Sequence, residues 1–566
     1  MHASADEPVK VYRHLARRFR DERVDTVFVL TGDGNMFWEA AFAEFDGVRS
    51  IHVRHEHCAL AMATAYARKT GTLGVASVTC GPGLTQTMTA LTTAVRARIP
   101  LLVFAGETAL DAPWNNQWID QAPLVRATGA EYIAVHSTQT LPRLLSQAFH
   151  TARVDLRPVV LGVPIDLQQR TMAAGDDREV AASVEVAAPR APRPPHADDI
   201  AKVAARMRAS RRPVIVAGRG AAAAGAVSAC VALADHCDAA LATTLPVRGL
   251  FAGHPRGIGV CGGYAHPATK EAIGQSDLVL VVGASLTEFT TEYGRLLTPE
   301  RTVHLDESPA GINHGSFVSS LAVPADAEFG LRALLAELTG SGHRGGGGWD
   351  VTGYAKRVRT EPADTTAYVL EDGVLDPRQV IATLHGEIPN EWECVNGAGH
   401  SGYFATHMPD RPAGRFLTIR EFGAVGNGVS YAAGVAVARP DTPVVLFEGD
   451  GGVMMHAQEL ETLGRYGLRI LICVLNDGAF GSEVHRLRAH GLSTDGAVYG
   501  RNDMARMARG YGIGGRLIRR LDELGEAVRE FAATDGPMLL DIQISDRVMS
   551  PGMNRRMAAV RTSPGS

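Results

Sequence analysis

Residues 444–481 read VVLFEGDGGVMMHAQELETLGRYGLRILICVLNDGAFG, and the fold follows from how this stretch is built. It opens on Val444 to Phe447, an apolar run of β-branched and aromatic residues without polar alternation, the pattern of a parallel strand buried on both faces. The run stops at Gly449-Asp450-Gly451-Gly452, where glycines allow a tight turn and a close backbone approach to a ligand. Val453 to Tyr466 then has helical spacing, with Met454, Leu460 and Leu463 expected on one face. A second apolar run, Ile470 to Leu475, ends in Asn476-Asp477-Gly478-Ala479-Phe480-Gly481, so two strand ends are expected at one sheet edge. Ligands of open α/β sheets sit outside those carboxyl ends, where helix N-termini offer unpaired N–H groups to an anion. Asp450 and Asp477 add hard oxygen donors there, and magnesium takes one or two carboxylates before phosphate oxygens and water complete its shell. The stretch asks for a diphosphate held through a divalent cation.

Gly-Asp-Gly followed after roughly 25 residues by an asparagine pair is the signature of thiamin diphosphate enzymes, and residues 449–477 resemble it. The resemblance implies that Asp450, Asp477 and the backbone carbonyl of Ala479 ligate Mg2+, with Gly449, Gly451, Gly452, Phe480 and Gly481 around the cofactor. Asp477 stands where the pattern has asparagine, which puts a second carboxylate beside the diphosphate and should make the site more dependent on its cation. An isolated Gly-Asp-Gly is most often a plain strand-to-helix turn. The flanking strand and the matching second strand end reverse that reading.

Upstream, Lys10 to Glu22 reads as an amphipathic helix, and strands are expected at Thr26 to Leu30, Ile51 to Val53, Gly74 to Val78, Leu101 to Phe104 and Val159 to Val163. Their alternation with helical segments means a parallel sheet covered on both faces. Residues 54–71, RHEHCALAMATAYARKTG, form an alanine-rich helix suited to close packing, with Glu56 at its start. A carboxylate in a first turn is ordinarily a partner of the helix dipole. Here it also matches the cofactor-activating glutamate of the same family, and the resemblance implies that Glu56 hydrogen-bonds N1′ of the aminopyrimidine. Its 4′-imino nitrogen can then take the thiazolium C2 proton, and an apolar pocket would help Glu56 share a proton near neutral pH. Gly81-Pro82-Gly83 resembles the family turn that approaches cofactor and substrate, and Gln117 within Gln117 to Gln121 would face the substrate.

After an Ala/Pro-rich linker, residues 186–199, strands are expected at Val214 to Ala217, Leu278 to Val282 and Thr302 to Leu305. Gly218-Arg219-Gly220 is by itself a weak dinucleotide signal. The region resembles the central domain of acetolactate synthase and its relatives, which leaves FAD as a secondary option that no flavin fingerprint favours. A flexible tract, Gly340 to Gly348, leads to the last domain. That domain opens with a helix near Pro377 to His385 and a strand at Glu393 to Asn396, followed by Gly399-His400. Phe422 to Gly428 resembles the family's glycine turn, with Ala424 and Val425 where a bulky apolar residue props the bent cofactor. A core valine is the other reading of Val425. Asp33, in a Gly-Asp turn, and Glu483 match two active-site acids of some thiamin-dependent decarboxylases, although each alone reads as a solvated surface acid. The histidine pair of pyruvate decarboxylases is missing, and the tail after Met549 either folds over the site or is disordered.

Three domains suit the 566 residues, at 8–180, 195–340 and 365–550. The fold class is α/β, with three doubly wound parallel-sheet domains: pyrimidine-binding, central Rossmann-like and diphosphate-binding. A net charge of -5 gives no footprint for nucleic acid or an anionic membrane. No run has the roughly 18 apolar residues of a membrane helix, and the N-terminus is not a signal peptide. Seven cysteines without CxxC spacing fit a reducing, cytoplasmic compartment.

The resemblance spans about Val11 to Ser545 and implies an acetolactate synthase-like carboligase, a transferase or lyase that decarboxylates a small 2-oxo acid and passes the enamine to an acceptor carbonyl. The alternative is a non-oxidative decarboxylase that releases an aldehyde. A nicotinamide oxidoreductase built on the Gly218 and Gly283 loops and a silent scaffold are the remaining readings. The family also implies a homodimer with shared active sites, and a tetramer as a further assembly.

Overall fold

The structure is a computed structural model that describes residues 9–112, 114–172, 182, 191–308, 319–345 and 348–553. The first half of the Ala/Pro linker, part of the glycine tract and the tail beyond residue 553 lie outside the described residues.

Three six-stranded sheets follow one another along the chain, and every strand pairing is parallel. The first contains β1 (Thr26–Val29), β2 (Arg49–His52), β3 (Gly74–Val78), β4 (Leu101–Glu107), β5 (Glu131–Ala134) and β6 (Val159–Pro164), in the order β2-β1-β3-β4-β6-β5. The second contains β7 (Pro213–Ala217), β8 (Ala240–Thr243), β9 (Gly257–Val260), β10 (Leu278–Val282), β11 (Thr302–Asp306) and β12 (Leu321–Pro324). Its order, β12-β11-β10-β7-β8-β9, is that of a Rossmann fold. The third contains β13 (Glu393–Asn396), β14 (Phe416–Thr418), β15 (Val444–Gly449), β16 (Ile470–Asn476), β17 (Gly514–Ile518) and β18 (Met538–Gln543). Its order, β14-β13-β15-β16-β18-β17, repeats that of the first sheet. The central strands are buried along almost their whole length, as parallel strands covered by helices must be.

The Glu56–Thr70 helix packs on the Gly428–Ala438 helix and so joins the first and third domains. Small residues set that distance: a Cβ on Gly434 would lie 2.2 Å from the Met62 carbonyl oxygen. At the far end Lys69 Nζ reaches the carboxylate of Glu393, which also accepts from Arg415 at 2.8 Å. The Lys69 and Glu393 side chains are only 8% and 2% exposed. Glu393→Ala would leave the lysine buried without its counter-charge and is expected to cost about 3–5 kcal/mol. A urea midpoint equal to that of the parent would show that the pair contributes nothing.

Two readings of the quoted stretch need correction. Residues 453–466 do not form one helix; Asp450–Met455 and Glu459–Arg465 are separate, because His456 leaves the helical region at φ -134 and ψ 38. Leu460 and Leu463 are buried as expected, whereas Met454 is exposed. Val425 is exposed too, not a core valine.

In the central domain the glycine turns after β7 and β10 fill each other's space. A Cβ on Gly218 would lie 2.3 Å from Gly283 O, and one on Gly283, at φ +55, would lie 2.1 Å from Ala221 N. Those glycines are used by loop-to-loop packing at the point where a dinucleotide diphosphate would enter. All seven cysteines are free and buried. Among the described residues no helix is long and apolar enough to cross a membrane.

Candidate active site

The carboxyl edge of the first sheet collects five of the residues singled out above. The chain leaves β1 into the turn bearing Asp33, which is exposed, and Gly34 N donates to Thr79 Oγ1 at 3.0 Å. It leaves β2 through His55, which caps the helix that Glu56 begins. Glu56 is half-buried, and its Oε1 lies 3.6 Å from where a Cβ on Gly83 would stand. Gly81, at φ +56, presses on the next loop: a Cβ there would meet Gln117 O at 2.0 Å, so only glycine fits. Pro82 starts the short helix behind it. Cys80 Sγ donates to Gln117 Oε1 at 3.2 Å, and Gly81 N donates to Gln121 Oε1 at 2.8 Å. Asp33, Glu56, Gly81, Pro82 and Gln117 therefore share one edge.

The carboxyl edge of the third sheet collects the others. β15 and β16 pair in register, Gly449 opposite Leu475, so the Gly449–Gly452 turn and the Asp477–Gly481 segment lie side by side. A Cβ on Gly481 would stand 2.6 Å from Asp477 Oδ2 and 2.9 Å from His400 Nδ1, which joins the strand end after β13 to the same place. Gly399, at φ +91, faces open space. Ala479 N donates to Asp477 Oδ1 at 3.2 Å, and Phe480 lies over Gly451. Ala424 and Val425 sit on the neighbouring loop, where Gly426 packs on Met455 and accepts through its carbonyl from His456 Nδ1 at 2.9 Å. Glu483 is exposed in the first turn of the Gly481–Ala489 helix.

Asp450 and Asp477 are close enough for each to bear on the other's charge. Burial pushes both carboxyls up, and for Asp477 the neighbouring Asp450 adds to it. Asp450 Oδ1, almost fully buried, has no hydrogen-bond partner among the described residues. An orphaned carboxylate oxygen beside a second buried carboxylate fits a hard divalent cation, which would remove both the repulsion and the desolvation penalty.

Three contributors lie outside the site residues expected from the sequence. Tyr499, on the loop after the Gly481–Ala489 helix, places its hydroxyl 2.6 Å from where a Cβ on Gly451 would be and favours the charged form of Asp450. Glu448, buried and pushed up to about 8 by desolvation, is the side chain that Cβ atoms on Gly397, Gly428 and Gly452 would strike. It ties the diphosphate turn to the start of the Gly428–Ala438 helix, and its place immediately before Gly449 could have been noticed. Ser550 N donates to His400 Nε2 at 2.9 Å, so the start of the tail does lie over this edge.

The chain carries two glycine-rich sheet edges of the same topology, one with an acid and one with a cation-ready carboxylate pair, and it belongs to the thiamine pyrophosphate enzyme family. Residues 9–122 match its N-terminal TPP binding domain, 200–334 its central domain and 397–542 its C-terminal TPP binding domain. Within that family the chain is similar to the acetolactate synthase isozyme 2 large subunit of Escherichia coli, with 28% identity over 94% of this chain and 95% of that protein. It is similar also to the acetolactate synthase large subunit of Haemophilus influenzae, 25% identical over 94% of both chains. A probable acetolactate synthase large subunit of Methanocaldococcus jannaschii is 26% identical over 94% of this chain and 91% of its own length.

Proposed function

We propose that this enzyme decarboxylates a small 2-oxo acid such as pyruvate and joins the remaining acyl fragment to an acceptor carbonyl, as an acetolactate synthase does. The observation that carries the reading is the pair of complementary sheet edges, together with relatives of that name along almost the whole chain. Bound thiamin diphosphate supplies the electron sink on which a 2-oxo acid loses carbon dioxide. The chain does the rest. Asp450, Asp477 and the Ala479 carbonyl would hold Mg2+, and the backbone N–H groups of the turns at Gly449, Gly451, Gly452 and Gly481 would meet the phosphates. Glu56 holds and releases a proton at its carboxylate oxygen, Val425 and Phe480 keep water from the cleft, Gln117 faces the substrate, and Asp33 and Glu483 position the 2-oxo acid and manage the proton that replaces carbon dioxide.

The site is shared between two chains in this proposal. Within one chain Glu56 lies beside Gly83 and Asp450 beside Asp477, and no contact among the described residues joins Glu56 to Asp450. Exposed apolar side chains border both edges: Trp114 and Trp118 at 78% and 69%, with Met454, Met455, Phe480 and Phe422 opposite. Covering them takes a second copy, in a homodimer or a tetramer of such dimers. Unpaired buried cysteines suit the cytoplasm. FAD is not part of the proposed cofactor set, and a colourless purified protein is the matching observation.

Incubation with pyruvate, thiamin diphosphate and Mg2+ is expected to yield an acetohydroxy acid. Acetaldehyde instead would establish the decarboxylase alternative. Turnover that needs nicotinamide cofactor but no thiamin diphosphate would overturn both.

A further inference from the structure

We propose that His55, Cys58 and His456 form a binding site for a borderline transition cation of the zinc class, bridging the first and third domains. Their ligand atoms lie within 4.8 Å of one another, the one such group of three found among the described residues. His55 is the N-cap of the Glu56–Thr70 helix and Cys58 lies three residues on, so the two share a face. His456 comes from the other domain, in the break between the Asp450–Met455 and Glu459–Arg465 helices.

The surroundings hold these groups as outer partners hold metal ligands. His456 Nδ1 donates to Gly426 O at 2.9 Å, which fixes the tautomer and leaves the Nε2 lone pair free. His57 stacks on that ring at 4.8 Å and is itself anchored at 2.5 Å to Asn427 Oδ1. His55 Nδ1 accepts from His57 N at 3.1 Å, and the cation would take over that lone pair while the proton stays on Nε2. Beside the Cys58 thiol stands Glu459, held by Arg54 N at 3.0 Å and Thr462 Oγ1 at 2.7 Å. As the sulfur–metal bond forms, the S–H bond breaks and its proton passes to the Glu459 carboxylate, which burial already favours in its protonated form. Both histidines are half-buried, so water can take the fourth position. Two imidazoles and a thiolate select Zn2+ or Co2+ over Mg2+, the reverse of the all-oxygen Asp450–Asp477 pair. The proposal rests on no step of the proposed reaction.

The test uses full-length protein stripped with a chelator and titrated with Co2+ alone. One equivalent is expected to give the visible bands of four-coordinate cobalt and a thiolate-to-cobalt charge-transfer band, displaced by Zn2+. The band should persist in Asp450→Asn and vanish in Cys58→Ser. His456→Asn should weaken binding by more than the roughly 10–100-fold that loss of an outer partner costs. Far-ultraviolet circular dichroism identifies any variant that fails to fold. A wild-type spectrum without the charge-transfer band, a band that survives Cys58→Ser, or one lost in Asp450→Asn overturns the assignment.

Discussion

Chains carrying Glu56→Gln and chains carrying Asp450→Ala should each be nearly inactive alone, and co-assembly should restore roughly a quarter of wild-type activity. The quarter follows from random pairing, in which about half of the dimers are mixed and each mixed dimer keeps one intact site of two. Each single change should lower kcat by about 10²–10⁴, the range over which a positioned proton-transfer group acts. Glu56→Gln should still bind thiamin diphosphate, because the diphosphate and cation are held by the other chain, whereas Asp450→Ala should not. Mixed assemblies that load cofactor and recover no turnover would refute a cleft shared between chains.

The second large effect concerns Asp477. In metal-free protein two buried carboxylates bear on each other, and burial pushes Asp450 up to about 6 from its ordinary 3.8. A carboxyl raised in the fold contributes stability below its unfolded value and loses it as pH rises through about 6. Metal-free protein should therefore lose stability between pH 4 and pH 7, and added Mg2+ should restore it increasingly toward neutrality. Below about pH 6 a proton competes with the cation, so apparent Mg2+ affinity should change about tenfold per pH unit. Asp477→Asn removes the repulsion: the metal-free form should become more heat-stable and the pH dependence of Mg2+ stabilisation shallower. A Mg2+ titration identical to that of the parent would show that the second carboxylate has no bearing on the cation.

How much of this could be read from sequence differed by element. The strands that carry turns into the site, β1, β3, β13, β15 and β16, are apolar runs that end in glycine or polar turns, and their ends were legible to within a few residues. Several strands that were not read are short sheet edges: β5, β9, β12, β14 and β17. Edge strands bury little and carry weak patterns. β8, with the sequence ALAT, has alanines that favour a helix. β18 contains Asp541, whose carboxylate is satisfied by Asn476 at 2.8 Å, a partner that only the folded sheet supplies. The break at His456 escaped periodicity because Leu460 and Leu463 keep a helical spacing on the far side of it.

At the site, glycine turns and acids were readable because the chemistry constrains them locally. Tyr499 and the tail at Ser550 reach the same edge from distant segments. Their contribution exists only in three dimensions.

The recurrence of one strand order in the first and third sheets has a historical consequence. In each, the helix that follows the second strand packs on its counterpart inside a single polypeptide. Such a blueprint, written twice, is what remains when a self-associating ancestor duplicates and fuses. The acid of Glu56 and the carboxylates of Asp450 and Asp477 would then descend from equivalent margins of one progenitor, specialised apart after the copies were joined.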